Sequence, residues 1–448
     1  MKKEKTEFSG AKESPKKKII YLFSVAACIA VLVLTYFVIT KGNGFTDTLD
    51  TEYLRARVTE ITGHYEDVGE NGEVLSSDVF FEAKIGSGSE KGTIVEASQN
   101  YSSYTPLNPR EVKEGDKVVI ARFAGTDNWV FIDYLRSDAL LALFALFSLL
   151  ILVYGRIKGL KTLLSLTLTV AAVAFVFFPA VLDGRNVSLW AVLVCLYIIV
   201  MTLVIVNGLS KMSIAASCGC IGGVLISLGL TALTDSFIKL SGNSDAHSIF
   251  LLYIGKNGID LRSLIYASII IGSVGAVMDV AVDISAALKE ISQKIGEPTP
   301  GELFRSGLNI GRDVIGTMSN TLVLAYIGGS MGTLILYIYN NGASPLYLFN
   351  IEAIVVEILN TLVGSIGILM TLPLTAAICS VLYTHPSVRK RLRAEKKAKR
   401  ALEAAKKRAK KEAAVSPDDF SDTLDGVGAF GGTEQEKDSG GKDDGNGI

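Results

Sequence analysis

Two aspartates four residues apart, Asp279 and Asp283, sit inside the apolar run Gly275-Ala276-Val277-Met278-Asp279-Val280-Ala281-Val282-Asp283-Ile284. On a helix that spacing puts both carboxylates on one face. Ionisable groups within a membrane-type segment are costly and commonly functional. The next apolar segment opens Gly311-Arg312-Asp313-Val314-Ile315-Gly316-Thr317-Met318-Ser319-Asn320-Thr321. It adds a cation, a third carboxylate, an amide and hydroxyls. The chemistry on offer is proton exchange or cation binding. Asp279 would be the coupling group, Asn320 and Thr321 would line a path, and Arg312 with Asp313 would gate it. A structural alternative fits the same residues: Asp283 and Arg312 pair to orient two helices, and Asp279 bonds one helix to another.

Other chemistry finds little support. The histidines are His64, His247 and His385, none deep in an apolar run. No serine–histidine pair, zinc-ligand run or phosphate loop is present. Two carboxylates on one helix make a poor protease dyad, which needs them to share a proton across two elements. The expectation is a chain that is not an enzyme, with no cofactor and no metal site. Cys218-Gly219-Cys220 could be read as a soft-metal pair, and Met278 and Met318 as soft ligands. Helix packing by small and flexible residues is the simpler reading. The five cysteines all lie in apolar runs, so no disulfide framework is expected.

The elements that must hold these residues are membrane helices. Hydrophobic residues make up 49% of the chain and mean hydropathy is +0.39, yet 20% of residues are charged. The charges must therefore be segregated. About 20 apolar residues cross a hydrocarbon core of about 30 Å, and such runs recur. The first, 19–40, follows a basic stretch 1–18 with seven lysines and reads as a retained signal anchor. Further spans are predicted near 139–155, 160–182, 187–207, 212–234, 262–285, 313–339 and within 363–384, about eight in all. With a cytoplasmic N-terminus, Arg156, Lys158, Lys161, Lys211, Lys289, Lys294, Arg305 and Arg312 fall inside, as the positive-inside rule asks. Residues 346–384 are too long for one crossing, at about 58 Å. Two crossings would export the 13 basic residues of 389–411. The stretch 346–362, with Glu352 and Glu357, is therefore predicted to be re-entrant or interfacial, broken from the last span at Gly364 and Gly367.

Between the first two spans, residues 41–137 carry alternating stretches at 53–61, 79–85, 93–97, 117–123 and 129–134, separated by turn signals. Five short strands predict a small extracytoplasmic barrel, OB-like or lipoyl-like. It holds 17 acidic and 10 basic residues, which a solvated surface explains. The multi-pass domain runs 138–385. A basic helix is expected over 386–414 and a disordered acidic, glycine-rich tail over 415–448. The basic helix suits anionic lipid; nucleic acid is not needed to explain it.

The Gly275–Ile284 block, the Gly311–Leu324 block and Gly364-Ser365-Ile366-Gly367-Ile368-Leu369-Met370-Thr371-Leu372-Pro373 together resemble the YibE/F-like family of bacterial multi-pass membrane proteins. The resemblance runs roughly over 20–385 and implies a multi-pass architecture with an N-terminal exported domain, more than an activity. Asp279 matches the family block better than Asp283 does. The fold class expected is an α-helical polytopic membrane protein with a small β-barrel, in the bacterial cytoplasmic membrane, both termini inside. The leading functional expectation is a secondary transporter or permease of unspecified substrate. The alternative is a non-transporting envelope assembly factor or sensor whose exported domain binds an envelope protein. The small-residue faces also allow a homodimer.

Overall fold

The computed structural model describes residues 15–40, 51–68, 74–102, 110–123, 125–126, 128–242, 251, 258–295, 298–341, 344–384, 386, 394 and 403. The chain divides into two units, Met1–Tyr383 and Thr384–Ile448. In the second, Pro386, Ala394 and Glu403 are helical. The rest of the expected basic helix 386–414, the acidic tail 415–448, and most of the basic stretch 1–18 lie outside the described residues.

Helix α1 is Pro15–Thr40. Strands β1 (Glu52–Val68), β2 (Val74–Ile85), β3 (Ile94–Ser102), β4 (Lys117–Arg122) and β5 (Trp129–Tyr134) follow. They close into a barrel in the order β1-β2-β3-β5-β4, five-stranded as an OB-like barrel is. The closing contact between β3 and β5 rests on two paired positions, Ala97 with Trp129 and Ser98 with Val130. The period-two alternation sends Val58, Phe81, Ala83, Ile85, Val118, Ile120 and Trp129 inward, where all are buried. Strand β1 is long enough to serve two neighbours because bulges at Val58/Glu60 and Ile61/Gly63 bend it. Its first part, Glu52 to Arg57, pairs with β4, and from Ala56 to Val68 it pairs with β2, so Ala56 and Arg57 serve both neighbours. Arg122 ties Glu52 (2.7 Å) to Glu90 (3.1 Å) and lies 4.7 Å over the Trp129 ring.

Strand β5 runs almost directly into α2 (Ser137–Ala172). Asp138, in the first turn of that helix, accepts from Lys117 Nζ of β4 at 2.9 Å and lies 3.5 Å from Arg55 of β1. The barrel is thus pinned to the helix that follows it. Within α2, Arg156 has φ 48° and ψ −124°. A Cβ on Gly159 would lie 2.3 Å from the Ile151 carbonyl oxygen, although residues eight apart in a straight helix are separated by about 12 Å. The chain therefore doubles back at Arg156. The returning limb passes through a π-helical turn, Val173–Phe177, and the short α3, Phe178–Leu182.

Helices α4 (Val187–Asn207), α5 (Lys211–Ile238), α6 (Leu261–Ile295), α7 (Pro300–Gly329), α8 (Met331–Asn341), α9 (Pro345–Leu348) and α10 (Glu352–Tyr383) complete the described unit. Asn186 and Ser210 cap α4 and α5, and Thr299 with Glu302 forms a capping box on α7. Among the described residues, six helices are long and apolar enough to cross a membrane, or seven if the pair α7 and α8, bent by 59°, makes one span. Helix α1 packs on α4, where the Tyr21 hydroxyl donates to Ile205 O (2.9 Å) and the Tyr197 hydroxyl to Cys28 O (3.1 Å).

The core of the bundle is α5, α6, α7 and α10, with α4 behind α6. Glycine and hydroxyl residues set its spacing. A Cβ on Gly219 would meet Thr375 Oγ1 at 2.0 Å, one on Gly223 would meet Thr371 Oγ1 at 1.8 Å, and one on Gly367 would meet Ser227 Oγ at 2.2 Å. Small residues let backbones approach in this way. This corrects the predicted break in the last segment. Helix α10 continues through Gly364 and Gly367 without interruption. Those glycines face Leu322 and Ser227 of neighbouring helices, so they serve contact, not a turn. The chain bends instead at Ser330 and again just before Glu352. Glu352 starts α10 by accepting from Ser241 N (2.9 Å), Ser241 Oγ (2.5 Å) and Gly242 N (2.5 Å).

Candidate functional site

Helix α6 has two unlike faces. Ile269, Ile270, Val277, Val280, Ala281 and Ile284 are fully buried against the surrounding helices. Ser268, Gly272, Gly275, Asp279 and Asp283 are all exposed. Steps of three and four residues align these five along one stripe. Every residue in the stripe is polar or glycine, on a helix whose buried face is mostly aliphatic, with Ser273 and Ser285 the polar residues buried in it. The expectation that both aspartates share a face is met.

Two contacts set the alignment of α6 with α7. Gly272 faces the Tyr326 hydroxyl, and Gly307 faces Leu288. Asp279 and Asp283 fall between these anchors. Asp279 is level with Met318, and Asp283 is near the level of Arg312 and Asp313. Arg312 nevertheless makes no ion pair with Asp283 among the described residues. Its guanidinium donates to Asn309 Oδ1 at 3.3 Å, one turn back on its own helix. Helix capture of the long side chain replaces the interhelical pair that the levels alone suggest. Asp313, Asn320 and Thr321 are exposed on α7, and the Thr321 hydroxyl donates to Thr317 O at 2.8 Å.

Met278 and Met318 pack at the edge of the apolar core. Cys220 is buried, with its thiol 3.9 Å from Val277 O, whereas Cys218 is exposed. The two cysteines do not converge. The described cysteines are all free.

An apolar cavity of about 280 Å³ lies elsewhere, between α1, the returning limb of α2, and α4, lined by Leu32, Thr35, Val176, Trp190 and Tyr197. A more polar one of about 310 Å³ is lined by Arg185, Asn186, Asp260 and Ser263. The aspartates line neither; they lie on an open face. Two further residues border this region: Tyr326, which the sequence did not single out, and Glu357, which it placed in the 346–362 segment. Tyr326 covers Gly272. Glu357, half-buried on α10, lies 3.5 Å from the Asn360 amide, and Asn360 is itself buried. Both residues lie in the segment expected to be re-entrant or interfacial, which instead forms the first part of the continuous α10.

A family model described as YibE/F-like protein matches residues 143–385. The match covers the helical bundle and begins after the barrel and α1, a narrower reach than the expected start near residue 20. No curated protein and no solved structure matches the chain.

Proposed function

The chain belongs to the YibE/F-like protein family, and from that premise we propose that it is a multi-pass membrane protein that moves a small solute or ion, with Asp279 as the coupling group. The observation that carries this reading is the exposed Ser268–Gly272–Gly275–Asp279–Asp283 stripe on a helix that packs against α4, α5, α7 and α10. A carboxylate facing hydrocarbon is costly. A carboxylate facing a water-filled path is not, and it can exchange protons or cations there. Asp283, Arg312 and Asp313 sit at one level and form the cytoplasmic entrance; Asn320 and Thr321 line the path above it.

In this reading α2 crosses twice, turning at Arg156, and α7 with α8 makes one broken span. Eight crossings result, with both termini in the cytoplasm of a bacterium and the barrel outside. The basic stretch 389–411 then faces anionic lipid. Membrane insertion, orientation and oligomeric state are parts of the same proposal, and a second copy against the open α6–α7 face is compatible with it. The test is thermal stability of the purified full chain against a panel of ions and small metabolites, at mildly acidic and neutral pH, for wild type and Asp279→Asn. A ligand that stabilises only the wild type, in a pH-dependent manner, supports coupling. A variant that responds to every ligand as the wild type does removes Asp279 from the mechanism.

The second reading, an envelope sensor or assembly factor, draws on the attachment of the barrel to α2 through Asp138, Lys117 and Arg55. A partner bound to the barrel could act on the helices through that contact. Deleting 41–137 separates the two: a transporter keeps flux, and a sensor loses its response.

A further inference from the structure

At one end of the barrel three ligand-type side chains converge. His64 Nε2 lies 3.5 Å from Glu66 Oε1 and 3.5 Å from Glu111 Oε1. All three ligand atoms are within 4.8 Å of one another. Ser77 Oγ is a further oxygen, 3.0 Å from the same nitrogen.

The fold builds this arrangement from separate parts. Strand register aligns His64 with Val79 and Glu66 with Ser77 on β2, and places Gln99 of β3 opposite Val79. Directly opposed residues share a sheet face. Val79, Ser77 and Gln99 are buried, so His64 and Glu66 stand at the rim of the barrel interior. Glu111 arrives from the segment before β4, and that segment is held on both sides of it. Gln99 Nε2 donates to Arg110 O (3.1 Å), Val112 N donates to Gln99 Oε1 (2.9 Å), and the Tyr134 hydroxyl donates to Arg110 O. A buried glutamine and a tyrosine thus fix the backbone that aims Glu111 at His64.

All three side chains are open to solvent, 42–56% exposed, so a cation has access to them from water. One imidazole nitrogen carries at most one proton, and here it faces three oxygens, two of them on carboxylates that repel each other. A divalent cation would draw these lone pairs to one centre. Bonds of about 2.1 Å in a tetrahedral site separate neighbouring ligand atoms by about 3.4 Å, close to the two 3.5 Å separations present. One imidazole with two carboxylates is a donor set for zinc or manganese, not for copper(I), which prefers sulfur.

We propose that His64, Glu66 and Glu111 bind one divalent cation of the zinc or manganese class at the rim of the barrel, with Gln99 and Tyr134 positioning Glu111. The site is separate from the α6 stripe and does not rest on the transport reading. It gives the barrel a ligand-controlled state: cation binding clamps the 110–112 segment to the distal part of β1.

Isothermal titration of the purified full chain with Zn²⁺, and separately with Mn²⁺, tests it. The wild type should bind one of these cations at about one per chain. His64→Ala and Glu111→Gln should each weaken binding by roughly tenfold or more. Glu114→Gln, nearby but outside the cluster, should leave it unchanged. X-ray absorption of the bound metal should show nitrogen and oxygen ligands without sulfur, which distinguishes the site from binding at cysteine. No saturable binding in the wild type, equal binding in His64→Ala and Glu111→Gln, or sulfur ligation would each overturn the proposal.

Discussion

Asp279 is exposed although it lies midway along a buried helix, and that combination separates its cost from its use. Replacing it should change stability little, within about 0.5 kcal/mol, as for most surface positions. Any coupled function should be lost. Melting temperature and ligand response measured on the same Asp279→Asn sample check both halves. Tyr134 behaves differently. Burial pushes its phenol above the ordinary value, and its neutral hydroxyl donates to Arg110 O. A raised phenol contributes stability that is complete below the unfolded value of about 10 and is lost as pH rises through the folded value. Tyr134→Phe should therefore flatten the alkaline limb of barrel unfolding and loosen the 110–112 segment; a pH series followed by Trp129 fluorescence would show both. At this scale the sequence was informative where residues are neighbours along a helix. The shared face of Asp279 and Asp283 follows from their spacing. The partner of Arg312 does not, because a flexible side chain chooses between Asn309 on its own helix and Asp283 on the next. The His64–Glu66–Glu111 cluster was out of reach, since it depends on barrel closure and on Gln99.

Helix limits follow from apolar length and caps, and most predicted spans coincide with helices. Glycine was the ambiguous signal. Gly364 and Gly367 read as a break, yet both lie inside a continuous helix because neighbouring side chains occupy the space a Cβ would need. Their meaning depends on what packs opposite, which one sequence does not contain. Gly223→Ala should accordingly destabilise by about 1–3 kcal/mol, the usual cost of overpacking. The Cβ would fall 1.8 Å from Thr371 Oγ1 and 3.2 Å from Gly367 O. Gly275→Ala, which meets nothing within 4 Å, should cost little by comparison. Thermal unfolding of the two variants side by side reads the difference. The turn at Arg156 has its own test. If α2 is two crossings, cysteines at 156 and 186 lie on opposite sides of the membrane. An impermeant thiol reagent applied to intact cells should then label Asn186→Cys and spare Arg156→Cys, in a background lacking the reactive native thiols.

On the scale of the whole molecule, the barrel leads into the helical bundle through the short link from β5 to α2, with Asp138 bonded back to β4. The barrel has its own core, and the family match begins beyond it. Transport would therefore reside in the helices, and the barrel would modulate it. Asp138→Asn should leave the barrel folded while weakening its hold on α2, seen as faster amide exchange in the first turn of that helix. The central proposition remains that the α6 stripe carries a coupled ion or proton. The most direct measurement is flux in proteoliposomes holding the purified full chain and an internal pH-sensitive dye, with imposed ion and metabolite gradients, for wild type and Asp279→Asn. The expected result is gradient-dependent proton movement in the wild type and its loss in a variant that is equally folded and equally reconstituted. Equal proton movement in both, or none in either across the panel, would contradict a coupling role for Asp279.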